Sequence, residues 1–333
     1  MSALLSAAGD ASYPWLVADV GGTNARFALV AEPGAAPEHV GTLASRDHAG
    51  LAEAAETYLA EHAGGARPRA ACLAVAGPVV EGRFRLTNAD WAADTTERVR
   101  AHLGLDHAEV LNDFEALALA LPHLTDADLR PVGGTALPAR DGSAPLSVLG
   151  PGTGLGVAAL LPTPAGWIPL PGEGGQVDIP AATDREVEVM RLLRAEQGAA
   201  NAEFLLSGDG LERLHRLLGM IHGVRPEPLT AAEISVHRDG LCAEAIEMFC
   251  ALLGAFAGNA ALTLGARGGV YLGGGILPRI ADVLDTSDFR RRFEAKPRVE
   301  EYVRAIPTAL IVHPNPALVG ATARLAQTLL EPV

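Results

Sequence analysis

Leu16-Val17-Ala18-Asp19-Val20-Gly21-Gly22-Thr23-Asn24-Ala25-Arg26-Phe27-Ala28-Leu29-Val30 holds two apolar runs on either side of a tight polar turn. Leu16 to Val20 and Phe27 to Val30 are short and rich in branched residues, so the stretch reads as a β-hairpin. Gly21 and Gly22 make the turn, because glycine reaches φ > 0 without steric cost. A plain hairpin needs no more than the glycines. This one adds an acid, Asp19, just before the turn, and Thr23, Asn24 and Arg26 just after it. Backbone N–H groups on such a loop can cradle phosphate oxygens. An Asp beside them can hold a divalent cation that keeps most of its waters. A solvated hairpin is the plainer alternative.

The same grammar recurs. Leu146-Ser147-Val148-Leu149-Gly150-Pro151-Gly152-Thr153-Gly154-Leu155-Gly156-Val157-Ala158-Ala159-Leu160-Leu161 is again an apolar strand, a Gly-Thr-Gly turn and an apolar strand. The copies lie about 130 residues apart, far more than the roughly 20–50 residues of a solenoid period. The spacing predicts two similar domains, each opening with a phosphate-type hairpin and facing the other across a cleft.

The bulk composition agrees with two domains. A chain of 333 residues, 49% of them apolar, is long enough for two sizeable cores. Its formal charge of −14, with no basic run, argues against a nucleic-acid surface. Met1 to Pro14 lacks a basic segment followed by a long apolar one, so no secretory signal is expected. No run of about 18 apolar residues is free of Gly, Pro and charge, so no membrane span is expected. Cys72, Cys242 and Cys250 form no C-x-x-C pair and fit reduced, buried thiols in a cytoplasmic protein. No His/Cys cluster has zinc-ligand spacing. The only lysine, Lys296, does not follow a glycine-rich loop. That removes a P-loop and a protein-kinase strand lysine, and leaves phosphate to glycine backbone, Thr, Mg²⁺ or Arg. The alternating glycines of 150–156 miss the dinucleotide spacing G-x-G-x-x-G.

Along the first half, strands are expected at His39–Ala44, Ala71–Ala76, Phe84–Asn88 and Glu109–Leu111, with helices at Leu51–His62, Thr95–Leu103 and Phe114–Leu121. Strands alternating with helices imply a largely parallel sheet. Residues 122–145 read as a connection, and Gly166–Gly175 as a Pro/Gly-rich loop. Helices are expected at Asp184–Gln197 and Leu211–Leu218, with two more between Ala231 and Gly258. Gly269–Leu272 and Ala309–Val312 read as strands. Asn315-Pro316 starts a last helix, with Asn at the cap and Pro at N1.

Several positions carry candidate chemistry. Asn112-Asp113 ends a strand and opens a helix, the end of an open α/β sheet where ligands bind. Asp113 there can take a proton from a substrate hydroxyl as general base; a helix N-cap is the alternative. Gly172-Glu173-Gly174-Gly175-Gln176 sets Glu173 and Gln176 in a glycine loop, suited to polyol hydroxyls or to a plain surface turn. Glu203 alone reads as a surface acid. Gly273-Gly274-Gly275 can accept adenine or its ribose against bare backbone, or be a strand-to-helix turn. Asn88 and Trp91 are placed at the border of the cleft.

These residues together resemble the bacterial ATP-dependent glucokinases of the hexokinase/actin superfamily. The resemblance runs from about Trp15 to Leu330. It rests on Asp19–Arg26, Leu111-Asn112-Asp113-Phe114, Gly152–Gly156, Leu170–Gly175, Leu206-Ser207-Gly208 and Gly273–Ile276, in that order. It implies an α/β fold of two actin/hexokinase-like (ribonuclease H-like) domains around a cleft that closes on sugar. The small domain would be 1–122, with a C-terminal helix at 316–333 packing back on it, and the large domain 123–315. By the same resemblance Asp113 is the base for the sugar 6-hydroxyl, and Asn112, Glu173, Gln176, Glu203 and Asn88 line the sugar. Asp19 holds Mg²⁺ through water. Gly21, Gly22, Thr23, Asn24, Gly152, Thr153 and Gly154 flank the ATP phosphates, and Gly274 and Gly275 the adenosine. It further implies glucose and ATP as partners, a homodimer, and neither nucleic acid nor membrane. The family usually has His where this chain has Gln176, which opens the sugar preference to mannose, fructose or glucosamine. A silent sugar-binding regulator is the reading outside enzymes. The related repressor/sugar-kinase family carries that His followed by a Cys-rich zinc site; this chain has neither.

Overall fold

The computed structural model describes residues 13–164 and 166–330. The stretch Met1 to Pro14, read as carrying no secretory signal, lies almost wholly outside the described residues. The chain divides into two compact units. One takes the described residues up to Leu124, Thr163–Pro169 and the chain from Pro314 on; the other takes Thr125–Pro162 and Leu170–His313.

In the first unit β1 (Trp15–Val20) and β2 (Asn24–Val30) form the expected hairpin, and β3 (Glu38–Ala44) extends it. α1 (Leu51–Glu61) leads to β4 (Ala70–Val75), parallel to β1. A small sheet of β5 (Val79–Val80), β6 (Arg83–Phe84) and β7 (Asp94–Thr95) follows. Then come α2 (Thr96–Leu103), capped by the Thr95 side chain, β8 (His107–Asn112), parallel to β4, and α3 (Asp113–Ala120). The sheet order is β3-β2-β1-β4-β8. The strand expected at Phe84–Asn88 stops at Phe84; Thr87 turns away to donate to the Ala76 carbonyl at 3.0 Å.

The second unit repeats this plan. Its strands are β9 (Leu129–Pro131), β10 (Leu146–Pro151), β11 (Leu155–Thr163), β12 (Gly166–Gly172), β13 (Gly269–Leu272) and β14 (Thr308–Ile311), in the order β12-β11-β10-β13-β14-β9. Again the hairpin strands lie antiparallel, and on the other side of the first strand β13 and β14 run parallel to it. Two segments read as loop are strands. β9 pairs antiparallel with β14 inside the expected connection, and β12 lies at the sheet edge, the place where Pro169 and Pro171 are tolerated. The helices are α4 (Asp184–Gln197), α5 (Gly208–Ile221), α6 (Ala231–Val236), α7 (Gly240–Leu264), α8 (Ala281–Thr286), α9 (Phe289–Glu294) and α10 (Glu300–Arg304).

α7 is long and apolar enough to cross a membrane by length and composition, but 67% of its most apolar stretch is buried inside the protein. Its glycines, which broke the apolar run in the sequence, are packing positions. A Cβ on Gly254 would lie 2.1 Å from the Phe289 carbonyl oxygen, and one on Gly258 2.5 Å from that of Phe293. α7 therefore lies directly on the backbone of α9 and forms the centre of the core, with Phe249, Leu252 and Leu253 fully buried. Beside it, the buried pair Glu186–Arg292 ties α4 to α9.

α11 (Pro316–Leu329) packs on α3, β4 and β1. The crossing is close, because a Cβ on Gly320 would sit 1.7 Å from the Ala116 carbonyl oxygen of α3. Arg324 Nε donates to Glu109 of β8 at 2.6 Å and Thr328 Oγ1 at 2.7 Å. Burial alone pushes the Glu109 carboxyl up, but the hydrogen bonds from Arg324, Thr328 and His107 outweigh it and hold it below its ordinary value.

Candidate active site

In the first unit the candidate residues gather at the carboxyl ends of three adjacent parallel strands. Val20, Val75 and Asn112 stand in register across β1, β4 and β8. Asp19 lies one residue before that line, opposite Arg26 on the hairpin, with Nη1 3.6 Å from the carboxylate. The Asp19 side chain is only 25% exposed. Burial raises its carboxyl above the ordinary value, and the Arg26 charge partly offsets this.

The turn glycines are required for a different reason from the one the sequence suggested. Neither Gly21 nor Gly22 has positive φ. A Cβ on Gly22 would instead lie 2.2 Å from the Asn88 carbonyl oxygen, so bare backbone is needed for the Asn88 loop to approach. Gly21 N–H donates to the Asn24 carbonyl at 2.9 Å, which closes the turn. Ser45 clamps it from outside: its hydroxyl donates to Gly21 O at 2.8 Å and its N–H to Thr23 O at 2.9 Å. Thr23 and Asn88 are exposed. Trp91, expected at the cleft border, is a buried core residue whose indole N–H donates to the Ser45 and His48 carbonyls.

Asn112, not Asp113, caps α3. Its Oδ1 accepts the N–H of Phe114 at 2.9 Å and its Nδ2 donates to Gly77 O at 3.1 Å. Asp113 is thereby the first residue of the helix, partly buried, with Oδ1 3.0 Å from the Phe114 N–H. The positive end of a helix dipole favours a carboxylate at this position, and a carboxylate there is chemically suited to accept a proton.

The second unit brings together another group. Gly152 N–H donates to Gly154 O at 2.8 Å within the β10–β11 turn, and Gly208 N–H to Gly152 O at 2.8 Å. Thr153 is exposed at the tip. Gly274 has φ +87° and its Cβ would fall 2.2 Å from Pro151 O, so the β13 loop lies on the backbone of the hairpin turn. Gly275 has open space around it.

Beside the hairpin, Glu203 Oε2 accepts the Leu155 N–H at 2.9 Å, and a Cβ on Gly154 would meet that oxygen at 2.5 Å. Glu203 Oε1 accepts Gln176 Nε2 at 2.9 Å. Gln176 Oε1 accepts Asn201 Nδ2 at 2.7 Å. Glu203 is therefore no solitary surface acid. Glu173 is exposed at the start of a 3-10 turn, Gly174–Gln176. Sequence reasoning missed Asn201 and Ser45; neither belongs to a motif, and only its spatial partners give it a role.

The glucokinase family model matches residues 16–328. This chain belongs to the glucokinase family. The glucokinase of Aromatoleum aromaticum is 47% identical over 322 residues, covering 96% of either chain. A crystal structure of a glucokinase from an Antarctic psychrotroph is 35% identical with TM-score 0.83, covering 94% of this chain and 98% of that one. A repressor/sugar-kinase-type glucokinase from Streptomyces griseus, solved with glucose and AMPPNP, is 18% identical with TM-score 0.63 over 93% of this chain and 98% of its own. At that distance the likeness shows the fold alone. The fold is the actin-like hexokinase fold.

Proposed function

We propose that this chain transfers the γ-phosphoryl group of ATP to the 6-hydroxyl of glucose, with Asp113 as general base. Membership of the glucokinase family supports the reaction. The observation that supports the role of Asp113 is the capping of α3 by Asn112, which takes the N-cap role and sets the Asp113 carboxylate at the first helical position.

Phosphoryl transfer asks chiefly for positioning and charge stabilisation. Asp113 accepts the hydroxyl proton as the sugar oxygen attacks. The assignment of Asn88, Asn112, Glu173, Gln176 and Glu203 to sugar hydroxyls rests on the resemblance to the glucokinases; within the second unit, the Gln176–Glu203 hydrogen bond supports it for that pair. The turn at Gly21, Gly22, Thr23 and Asn24 and the turn at Gly152, Thr153 and Gly154 serve the phosphates. The Gly21 and Gly152 N–H groups are used inside their own turns, so the phosphate contacts fall to their neighbours and to the threonine hydroxyls. Gly274 and Gly275 offer side-chain-free backbone to adenosine.

Among the described residues no three His, Cys, Asp or Glu side chains cluster as a metal cage. One partly buried carboxylate at a strand end, Asp19, fits Mg²⁺ that keeps its waters and takes phosphate oxygens for its remaining ligands. Bound there, the ion would neutralise phosphate charge.

The test is purified protein with Mg-ATP and glucose, following glucose 6-phosphate through a coupled dehydrogenase. Turnover on glucose is expected. Asp113→Asn should fold and bind glucose but lose about 10³-fold in kcat. Near-normal turnover of that variant would remove Asp113 as the base.

A further inference from the structure

We infer that Asn201 is a positioning residue that locks the amide of Gln176 in one orientation, so that Gln176 presents the hydrogen-bonding pattern of a neutral histidine without titrating. The inference rests on the sugar-site reading above.

Two backbone N–H groups anchor this chain of bonds, and their donor sense is not open to choice. Phe204 N–H donates to Asn201 Oδ1 at 3.0 Å. Asn201 is 9% exposed, and with its oxygen so engaged its Nδ2 must face Gln176. Nδ2 is a donor only, so the Gln176 atom 2.7 Å away is its oxygen. Gln176 Nε2 is then left to donate to Glu203 Oε1 at 2.9 Å. At the far end Leu155 N–H holds Glu203 Oε2 at 2.9 Å. Both amides are therefore oriented by chemistry at both ends of the chain of bonds. One N–H and one lone pair of Gln176, and the spare lone pairs of Glu203, remain for a ligand.

A neutral histidine at this position would offer the same sequence, one ring nitrogen accepting from Asn201 and the other N–H donating to Glu203. Protonated, it would turn a donor toward the Asn201 donor. Glutamine avoids that state. The charged group in contact with Gln176 is Glu203; Glu173 and Asp178 are exposed chain neighbours, and Arg213 of α5 contacts Phe204, the residue whose N–H holds Asn201. Arg213 donates to Phe204 O and lies over the Phe204 ring at 5.6 Å. None is a histidine.

Asn201→Asp keeps the acceptor for Phe204 N–H and removes the donor to Gln176. Gln176 then turns its nitrogen to the introduced carboxylate and its oxygen to the Glu203 carboxylate, or leaves. Glucose titration calorimetry and steady-state kinetics would be run between pH 5.5 and 8.5 on the native protein, Asn201→Asp, Gln176→His and the double variant. The native KM for glucose should stay flat. Asn201→Asp should raise KM about tenfold with kcat within about threefold, at an unchanged melting temperature. Gln176→His should match the native KM at pH 8 and weaken as pH falls through about 6.5. The double variant should reverse that trend, because a protonated histidine donates to both carboxylates. A native-like KM in Asn201→Asp, or a flat profile in Gln176→His, would overturn the role of Asn201. Glucose binding with the expected pattern but no turnover would sink the kinase reading and leave this inference standing. No glucose binding by the native protein would overturn both.

Discussion

The two central hairpins share a topology and differ in what they expose. In β1–β2 the turn follows a partly buried carboxylate, Asp19, and its Gly22 is pressed 2.2 Å (as a would-be Cβ) against the Asn88 carbonyl. In β10–β11 the strand ends in Gly150-Pro151, and the Gly152 position has open space around it. The neighbouring strands extend the contrast. β8 delivers Asn112 and Asp113, whereas β13 delivers Gly273, Gly274 and Gly275. One copy of the scaffold thus carries ionisable side chains at its strand ends, and the other carries bare backbone with a polar chain of Asn201, Gln176 and Glu203 beside it. A duplicated sheet can keep its register while its chemistry divides, because strand order is fixed by the apolar core and the strand ends are not.

That contrast can be broken by experiment. Gly22→Ala should cost about 3 kcal/mol, since backbone and not a flexible side chain must yield; a urea midpoint near that of the native protein would show that the Asn88 loop is free to retreat. Asp19→Asn should lower kcat/KM for Mg-ATP about 100-fold without lowering the melting temperature. The sign follows from burial: the folded state raises the Asp19 carboxyl, so its ionisation carries a stability cost that builds as pH rises from the ordinary carboxylate value and is complete above the raised one. At pH 7 the neutral amide removes the cost, and a clear loss of stability would contradict the assignment. Gly152→Ala, with nothing within 4 Å of its Cβ, should change stability by less than about 0.5 kcal/mol. A loss equal to that of Gly22→Ala would erase the distinction between the two turns.

Much of this was legible in the sequence. Both hairpins, the span of α4 and the strand β13 follow from local periodicity, cap residues and glycine turns. What escaped was set by distant partners. β12 carries Pro169 and Pro171, which read as loop until its place at a sheet edge is known. The need for Gly22 comes from Asn88, far along the chain, so φ was a reasonable but wrong cause. Asn112 and Asp113 are both good caps by composition, and only the hydrogen bonds separate them. Trp91 looked like a cleft residue because its two carbonyl partners are invisible in its own neighbourhood.

The close crossing at Gly320 has a consequence for biosynthesis. Glu109 of β8, the strand that leads into α3, is held by Arg324, which is 215 residues further on. At about 5–20 residues per second, a ribosome separates the two by roughly 10–40 s. During that interval Asp113 and α3 have been made but α11, which packs on α3, has not. A chain that ends before α11 therefore lacks both the Gly320 packing on α3 and the Arg324–Glu109 pair.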